Sequence, residues 1–258
     1  MANTIVNSEN NIVFTALFGN YEDLNELKIV KNSGTRYVCF TDNMNLKSKT
    51  WEIFYLNLPY SPQKQSRYIK MLGHRYFPKN SKCLYIDNSV ELRQDGSVIL
   101  ESWLKDSILT MLKHSKRKTV KDEFFVCAAY GLEEQDKLLN QLRHYKEKYP
   151  EVLREKPFWG GMSARIYCEE VDHFMEIWFE EFLSYSKRDQ LSLNIAKARS
   201  GIKIKIVPGT NSETLWHKWP VINNRDIRTR ATTSDVAFRK FKIIKNVIKF
   251  GFNYYIAG

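Results

Sequence analysis

The chain is poor in cysteine and has no long apolar run. Its 258 residues include four cysteines, and none of them forms a C-x-x-C pair, so a zinc site is not expected. Three cysteines lie inside apolar runs, and we expect buried free thiols, as in a reducing cytoplasm. No stretch of about 18 apolar residues occurs, so no membrane-spanning helix is expected. The first residues, MANTIVNSENN, lack a basic region followed by an apolar core, which predicts no secretory signal.

Acidic residues are outnumbered by basic ones. The chain has 29 Asp and Glu residues against 40 Lys and Arg residues, a net charge of +11. Such a balance favours anionic partners, namely nucleotides, nucleic acid or an anionic membrane surface. Hydrophobic residues make up 43% of the chain, with 15 Phe, 14 Tyr and 6 Trp. This content supports a packed core and excludes wholesale disorder, and the length allows one large domain or two small ones.

The chain is organised around the stretch SPQKQSRYIKMLGHRYFPKNSKCLYIDNSVEL. Ser61 is a typical helix cap and Pro62 a typical first helical residue. The helix is expected to end before Pro78, because the residue that precedes a proline disfavours helix. The apolar run 83–86 predicts a buried strand that ends at Asp87. In open α/β sheets ligands bind at the carboxyl ends of the strands, so the stretch predicts a carboxylate at a ligand-binding edge.

Other segments have patterns typical of strands or helices. Apolar runs predict strands at 12–18, 36–41, 51–58, 90–92, 124–129 and 202–207. Helical periodicity predicts helices at 100–112, 133–149 and 169–184, and a further helix that starts at 189. A glycine-containing loop is expected at 157–164. We interpret these elements as one α/β domain at 1–224 followed by a C-terminal extension at 225–258.

The basic helix, the Phe-Pro pair, the apolar strand and its terminal Asp together resemble the core of nucleotide-sugar glycosyltransferases with the GT-A fold. The pattern is most similar to a glycosyltransferase-like family, first described as a domain of unknown function, that includes plant mucilage-related proteins. It is more distantly similar to the retaining galactosyl- and glucosyltransferases of family eight. The resemblance implies a GT-A-like, Rossmann-related mixed sheet flanked by helices. It also implies transfer of a sugar from a nucleotide-sugar donor to a glycan or lipid-linked glycan, in surface polysaccharide or lipopolysaccharide synthesis.

The resemblance also implies a divalent metal ion, Mn²⁺ or Mg²⁺, on the donor diphosphate. In family eight the strand ends in Asp-x-Asp, whereas this chain has Asp87, Asn88 and Ser89. A late histidine completes the metal shell in several of those enzymes. The ligands implied here are therefore Asp87, Ser89 and His217, and the serine in the third position weakens this assignment.

Eight residues are candidates for contact with the nucleotide sugar. They are Phe18, Gly19, Asp42, Arg67, Lys70, Asp87, Asn88 and Lys218. Arg67 and Lys70 are three residues apart, on neighbouring positions of one helix face, which suits a diphosphate. A solvated basic face is the alternative for this pair. Asp42 follows a predicted strand, where it could accept hydrogen bonds from a ribose or a base or simply cap a turn.

Five residues are candidates for contact with the sugar or the acceptor. They are Gly160, Gly161, Met162, Asp189 and Gln190. Paired glycines let a backbone approach a ligand closely. The resemblance assigns Asp189 a catalytic role at a helix start, although an acid in a first turn is also favoured by the helix dipole alone. Asp87 and Asp189 could form a hydrolase pair, but the basic helix argues for a phosphate-bearing donor.

The C-terminal segment 225–258 is strongly basic. It contains eight basic and two acidic residues, a net charge of +6. Ser234 and Asp235 suit a helix cap, and Gly251 suits a helix end. One side of this helix carries Ala237, Phe238, Phe241, Ile244, Val247 and Ile248. Such a helix can lie on an anionic membrane or pack on the main domain. We predict a cytoplasmic protein, and the membrane alternative for this helix would make it peripheral on the inner face of the membrane.

Two other functions are compatible with the composition. A nucleic-acid-binding protein would use the charge of +11 and the 14% aromatic content for phosphate contacts and base stacking. No recognisable RNA- or DNA-binding motif occurs, however. A catalytically inactive glycosyltransferase-like scaffold is the second alternative, because Ser89 replaces an expected acid. Both alternatives make predictions that differ from those of an enzyme with a nucleotide-sugar donor.

Overall fold

The chain forms strands and helices that alternate along most of its length. The computed structural model describes residues 11–30, 34–224 and 233–256, with the side chains of the last range described from 243 to 254. The strands are β1 Asn11–Leu17, β2 Thr35–Thr41, β3 Glu52–Tyr55, β4 Lys82–Ile86, β5 Glu91–Leu92, β6 Leu109–Lys113, β7 Phe158–Ile166, β8 Lys205–Val207 and β9 His217–Lys218. The α-helices are α1 Pro62–Leu72, α2 Gly96–Trp103, α3 Val120–Tyr130, α4 Gln135–Lys148, α5 Glu169–Ser184, α6 Asp189–Ser200 and α7 Thr233–Ile256.

Seven strands form one mixed sheet in the order β3-β2-β1-β4-β7-β6-β8. The pairs among β1, β2, β3 and β4 are parallel, and β7 runs antiparallel to both of its neighbours, β4 and β6. The first, second and fourth strands are almost continuously buried, which is typical of parallel strands covered on both faces. β5 and β9 pair separately as a small antiparallel ribbon. The expected mixed sheet flanked by helices is therefore confirmed.

Helices cover both faces of the large sheet. On one face α2 packs Ile99 and Trp103 into a cluster with residues of β1, β4 and β7. On the other face α1, α5 and α6 pack on the sheet, and Trp178 of α5 is 1% exposed there. A third cluster joins α3, α4, α6 and α7. The large sheet is thus buried between helices, which leaves the ends of its strands as the accessible edge.

The predicted strand at 124–129 is wrong, because this run lies inside α3. Thr119 accepts a hydrogen bond from Asp122 N and Asp122 accepts one from Thr119 N, which forms a capping box. Gly131 ends the helix in the left-handed conformation. A short apolar run fits a buried strand and a buried helix equally well, and here the two caps decide for the helix.

The predicted helix at 100–112 is also wrong, because it spans the end of α2 and most of β6. Asp95 caps α2 by accepting from Ser97 N, and α2 ends at Trp103. The expected loop at 157–164 is instead mostly β7, a buried strand paired on both sides. A Cβ on Gly161 would lie 2.3 Å from the Trp159 ring. The glycine there makes room for a neighbouring side chain within a strand.

The C-terminal helix packs on the domain by one side and exposes the other. Phe250 is fully buried and Tyr254 is 6% exposed, and both rings contact Phe125 of α3. Ile248 and Phe252 are 64% and 60% exposed. The helix continues through Gly251, so the predicted end there is wrong. The side chains of Ser234, Asp235, Ala237, Phe238 and Phe241 lie outside the described residues, as does the proposed domain boundary at 225.

Two further expectations concern membranes and thiols. Within the described ranges, no helix combines the length and the apolar character needed to cross a membrane. The four cysteines are free thiols, with Cys168 only partly buried and the other three buried. The expectation of free thiols is confirmed.

The packing of α7 predicts a sharp difference between two phenylalanines on the same helix. Phe250→Ala should lower the free energy of unfolding by roughly 3–5 kcal/mol, because it leaves a cavity against α3. Phe252→Ala should change it by less than about 0.5 kcal/mol, because that ring is exposed. Urea denaturation followed by circular dichroism measures both. Equal effects of the two substitutions would contradict the observed packing of α7.

Candidate active site

The site lies where β1, β2 and β4 end at one edge of the sheet. The turn after β1 contains Gly19, whose φ of 84° favours glycine. Its amide donates to Asp42 Oδ1 at 2.9 Å. A Cβ on Gly19 would lie 2.6 Å from Cβ of Pro62. Asp42 therefore fixes this turn against the start of α1, which is the turn-capping role left open by the sequence.

A buried ammonium lies between two carboxylates at this edge. Lys70 Nζ is 2.6 Å from Asp189 Oδ2 and 3.6 Å from Asp87 Oδ1. The side chains of Lys70 and Asp189 are 4% and 8% exposed, whereas that of Asp87 is 33% exposed. The rings of Tyr85 and Trp178 lie 5.3 and 5.7 Å from the ammonium. Asp189 is thus the internal acid of the pair, and Asp87 is the one that solvent reaches.

Neighbouring cations determine the protonation of Asp189. Burial alone would raise the pKa of Asp189, but Arg67 and Lys70 hold that pKa well below its ordinary value. Arg67 Nε is 3.3 Å from Asp189 Oδ1. Asp189 is therefore ionised at neutral pH. A group that stays ionised in this way is poorly matched to general acid–base catalysis near pH 7.

Asp87 is fixed by its own strand and by β7. Tyr85 OH donates to Asp87 Oδ1 at 2.7 Å, and the backbone amide of Asp87 donates to Gly161 O at 2.8 Å. Burial and the nearby charge of Asp87 raise the pKa of Tyr85 well above its ordinary value, so the phenol keeps its proton. The more exposed carboxylate is consequently held in one position at the end of β4.

Arg165 of β7 contacts the backbone of the helix that carries Lys70. It is fully buried, and its Nη2 donates to the backbone oxygen of Lys70 at 2.7 Å. Its guanidinium lies over the ring of Phe14, 5.1 Å from the centroid. Arg165 therefore ties the last turns of α1 to the sheet and keeps Lys70 in place.

Two clefts open above these groups. The β1 cleft, about 520 Å³, is lined by residues that include Phe18, Gly19, Tyr21, Pro62, Arg67 and Lys187. The acid cleft, about 350 Å³, is lined by residues that include Tyr21, Arg67, Asp87, Ser89, Arg188 and Trp219. Tyr21, Ser66 and Arg67 line both clefts. Arg67 thus lies at their junction, and it shares the acid cleft with Asp87, the residue that follows β4.

The sequence of this chain is similar to a known protein family. The sequence matches the TOD1/MUCI70, glycosyltransferase-like domain family over residues 2–210. The chain belongs to this family. The family membership suggested by the stretch around Asp87 is therefore confirmed, and the mixed sheet agrees with the expected GT-A-like architecture.

A curated relative and several solved structures are similar to this chain. The probable hexosyltransferase MUCI70 of Arabidopsis thaliana is 26% identical over 219 residues, which cover 74% of this chain and 38% of the relative. The chain thus spans well under half the length of that protein. The apo structure of the bifunctional glycosyltransferase WbbM aligns with 95% of this chain and 46% of its own, at 10% identity and a TM-score of 0.45. The galactosyltransferase LgtC, in complex with donor and acceptor sugar analogs, aligns with 76% of this chain and 73% of its own, at 14% identity and a TM-score of 0.43.

One of the three predicted metal ligands, His217, does not line the acid cleft that Asp87 and Ser89 share. His217 is fully buried, with Nδ1 2.9 Å from Thr214 Oγ1 and Nε2 3.2 Å from Asn211 O. Ser89 Oγ accepts from Trp219 Nε1 at 3.1 Å. Across the residues that the structure describes, no three His, Cys, Asp or Glu side chains are arranged to hold a metal ion. The set formed by Asp87, Ser89 and His217 therefore does not fit a divalent cation.

Of the other residues predicted to contact the nucleotide sugar, some line a cleft and others do not. Phe18, Gly19 and Arg67 line the β1 cleft, whereas Lys218 is exposed on β9 and lines neither cleft. Asn88 borders the acid cleft, but its side chain holds a loop. Its Oδ1 accepts from Asn25 N at 2.9 Å, and its Nδ2 donates to Glu22 Oε1 at 3.0 Å. Asn88 thus shapes the cleft wall.

Two of the sugar and acceptor candidates, Gly160 and Asp189, lie close to Lys70. A Cβ on Gly160 would lie 3.1 Å from Lys70 Nζ and 3.6 Å from Asp189 Oδ2. Gly161 contacts Asp87 through its carbonyl, and Met162 is fully buried in β7. Gln190 is half-buried, and its Nε2 makes no hydrogen bond within the described part of the chain. Gly160 and Gly161 therefore border the site as part of the strand β7.

Several site residues were not identified from the sequence. They are Tyr21, Tyr85, Arg165, Arg188, Lys187 and Trp219. Tyr85 could have been found, because alternate residues of a strand share a face and it precedes Asp87 by two. Arg188 is adjacent to Asp189 in the sequence. Arg165 has no such local signal, since its partners lie on α1 and α5.

The buried ion pair of Lys70 and Asp189 predicts that removal of Lys70 strongly lowers the free energy of unfolding. Lys70→Met should lower the free energy of unfolding by roughly 3–5 kcal/mol, because it leaves a buried carboxylate without its closest counter-ion. Lys64→Met, on an exposed position of the same helix, should change it by less than about 0.5 kcal/mol. Urea denaturation at pH 7 measures both.

The pair of Lys70 and Asp189 also predicts how the stability of the protein depends on pH. Because folding lowers the pKa of Asp189, its contribution is present above the unfolded pKa of about 4 and declines as the pH falls towards the folded value. The gap between the wild type and Lys70→Met should therefore narrow below that pH. A Lys70→Met variant as stable as Lys64→Met at pH 7 would contradict the assignment.

Proposed function

We propose that this protein transfers a sugar from a nucleotide-sugar donor to a glycan or lipid-linked glycan acceptor. The observation that carries the proposal is the junction of the two clefts at Arg67, beside a fixed strand-end carboxylate. Membership of a glycosyltransferase-like family supports it. That membership also disfavours the nucleic-acid-binding alternative.

The donor would span both clefts. Phe18, Tyr21 and Pro62 give the β1 cleft apolar and aromatic walls suited to a nucleoside. Arg67 at the junction and Lys187 at the rim offer positive charge to a diphosphate. The sugar would then lie in the acid cleft near Asp87. This orientation places the bond to be broken between the cations and the carboxylate.

In the transfer, the bond between the anomeric carbon and the diphosphate breaks while the acceptor oxygen bonds to that carbon. The nucleoside diphosphate leaves with both electrons of the broken bond, and one of its oxygens takes up the proton that the acceptor hydroxyl loses. The fixed cations stabilise the charge that develops on the leaving group. Two carboxylates line the acid cleft, Asp87 and Glu22. Glu22 is buried and accepts from Asn88 Nδ2, so the more exposed Asp87 orients the sugar or the acceptor hydroxyl. Asp189 acts through Lys70 and Arg67, whose positions it fixes.

Asp87→Asn should therefore lower turnover by at least about 100-fold while the fold is retained. A thermal-shift screen of UDP-, GDP- and CMP-sugars first identifies the donor, and release of its nucleotide is then measured. Asp136→Asn, at an exposed position of α4, is the matched control. Near-normal turnover of Asp87→Asn would remove Asp87 from the chemistry. A wild-type protein that binds donor without any turnover would instead support the inactive scaffold.

We also propose that the protein works at the cytoplasmic face of an anionic membrane, on acceptors of surface polysaccharide or lipopolysaccharide synthesis. The exposed side of α7 carries Ile244, Ile248 and Phe252 at intervals of four residues, next to exposed Lys245 and Lys249. Apolar residues flanked by lysines suit insertion at the boundary between anionic headgroups and acyl chains. A lipid-linked acceptor would meet the enzyme at that surface.

The membrane proposal predicts that Ile248→Ser/Phe252→Ser abolishes sedimentation with phosphatidylserine-containing vesicles at low salt. Val98→Ser/Ile206→Ser, which removes two exposed apolar residues from α2 and β8, should sediment like the wild type. Both pairs lie on the surface, so both variants should fold. If the wild type stays in the supernatant, or if both variants lose binding equally, α7 is not the membrane contact.

A further inference from the structure

The position between the two carboxylates of the site is already taken by a protein cation. Lys70 Nζ contacts Asp189 Oδ2 directly and lies 3.6 Å from Asp87 Oδ1. Its side chain is almost completely buried and is walled by the Tyr85 and Trp178 rings. A divalent cation bound to Asp87 would therefore lie close to a fixed positive charge, which opposes its binding.

The residues that would complete a metal shell are committed elsewhere. Asn88 is bonded to the 22–25 loop, and Ser89 accepts from Trp219. Both ring nitrogens of His217 have partners in the segment that precedes β9, namely Thr214 and Asn211. Hard divalent cations need several oxygen ligands. The acid cleft is lined by Asp87, which follows β4, and by Glu22, which is buried and already accepts from Asn88 Nδ2.

Fixed cations are instead placed where a diphosphate would lie. Arg67 lines both clefts, and Arg188 and Lys187 come from the segment just before α6. Arg67 is charge-paired with Asp189, yet its side chain is 21% exposed towards the clefts. Arg188 Nε is buried and makes no geometric hydrogen bond within the described part of the chain, although the Arg188 side chain also interacts with the Cys127 thiol. Planar guanidinium groups bind phosphate oxygens in a bidentate manner.

We infer that the protein binds the diphosphate of its donor without a divalent cation, and that Arg67, Arg188 and Lys187 supply the positive charge in its place. The inference rests on the proposed function, because it concerns the donor of that reaction. It differs from the metal dependence that the family resemblance implied. Its physical basis is the internal ammonium, which neutralises the acids that would otherwise attract a metal ion.

Isothermal titration calorimetry of the full chain with UDP, GDP and CDP tests the inference. Each nucleotide is titrated in excess EDTA, in Mg²⁺ and in Mn²⁺. The nucleotide that binds should show the same Kd in all three conditions within about threefold, which is under 1 kcal/mol. A gain of about tenfold or more in Mn²⁺ or Mg²⁺ that EDTA removes would overturn the inference while leaving the proposed function intact. Failure of all three nucleotides to bind in any condition would overturn the proposed function, and the inference with it.

Variants then locate the positive charge. Arg188→Gln and Lys187→Gln should weaken binding of the nucleoside diphosphate by about tenfold or more, while binding of the matching nucleoside stays within about threefold. Lys64→Gln, exposed on α1, should leave both affinities unchanged. Equal losses for the diphosphate and the nucleoside, or no loss in either variant, would show that these side chains do not contact the phosphates.

Discussion

The site depends on one buried ammonium. Lys70 extends from α1 into the space between β4, β7 and α6, where it joins a strand-end carboxylate to the first residue of a helix. Removing an ammonium and a carboxylate from water costs several kcal/mol for each ion. That cost is offset because Asp189 is met by two cations. Three elements that are distant in the sequence are thereby fixed relative to one another.

The interaction with Lys70 gives Asp189 and Asp87 different roles. Asp189 is ionised, buried and paired, so it serves to hold Lys70 and Arg67 in position. Asp87 is bonded to Tyr85 yet partly exposed in the acid cleft. Further positive charge lies on Arg67, which lines both clefts, on Arg188 in the acid cleft and on Lys187 in the β1 cleft. A polar site of this kind favours an anionic leaving group over a neutral one.

The packing that allows this arrangement comes from β7. This strand is antiparallel to both of its neighbours and packs against α6. Gly160 faces Lys70 with no side chain between them, and Arg165, five residues later, holds the backbone of Lys70. A Cβ on Gly161 would overlap the Trp159 ring, whereas a Cβ on Gly160 would only make a tight contact of 3.1 Å with the ammonium. A flexible loop at this position would not hold these groups at fixed distances.

The sequence by itself determined the parallel strands β1, β2 and β4, the helices α1, α5 and α6, and the family, because capping residues, proline positions and apolar periods are local signals. It also placed Asp87 at a strand end and Asp189 at a helix start. Only the tertiary structure decided that 124–129 is helical, that 158–166 is a strand and that His217 is buried away from Asp87. Short apolar runs fit either period, and a contact between residues 119 positions apart, such as that of Lys70 with Asp189, leaves no trace in any local pattern. Burial and distance in the folded chain, not residue type, decide which charged groups meet.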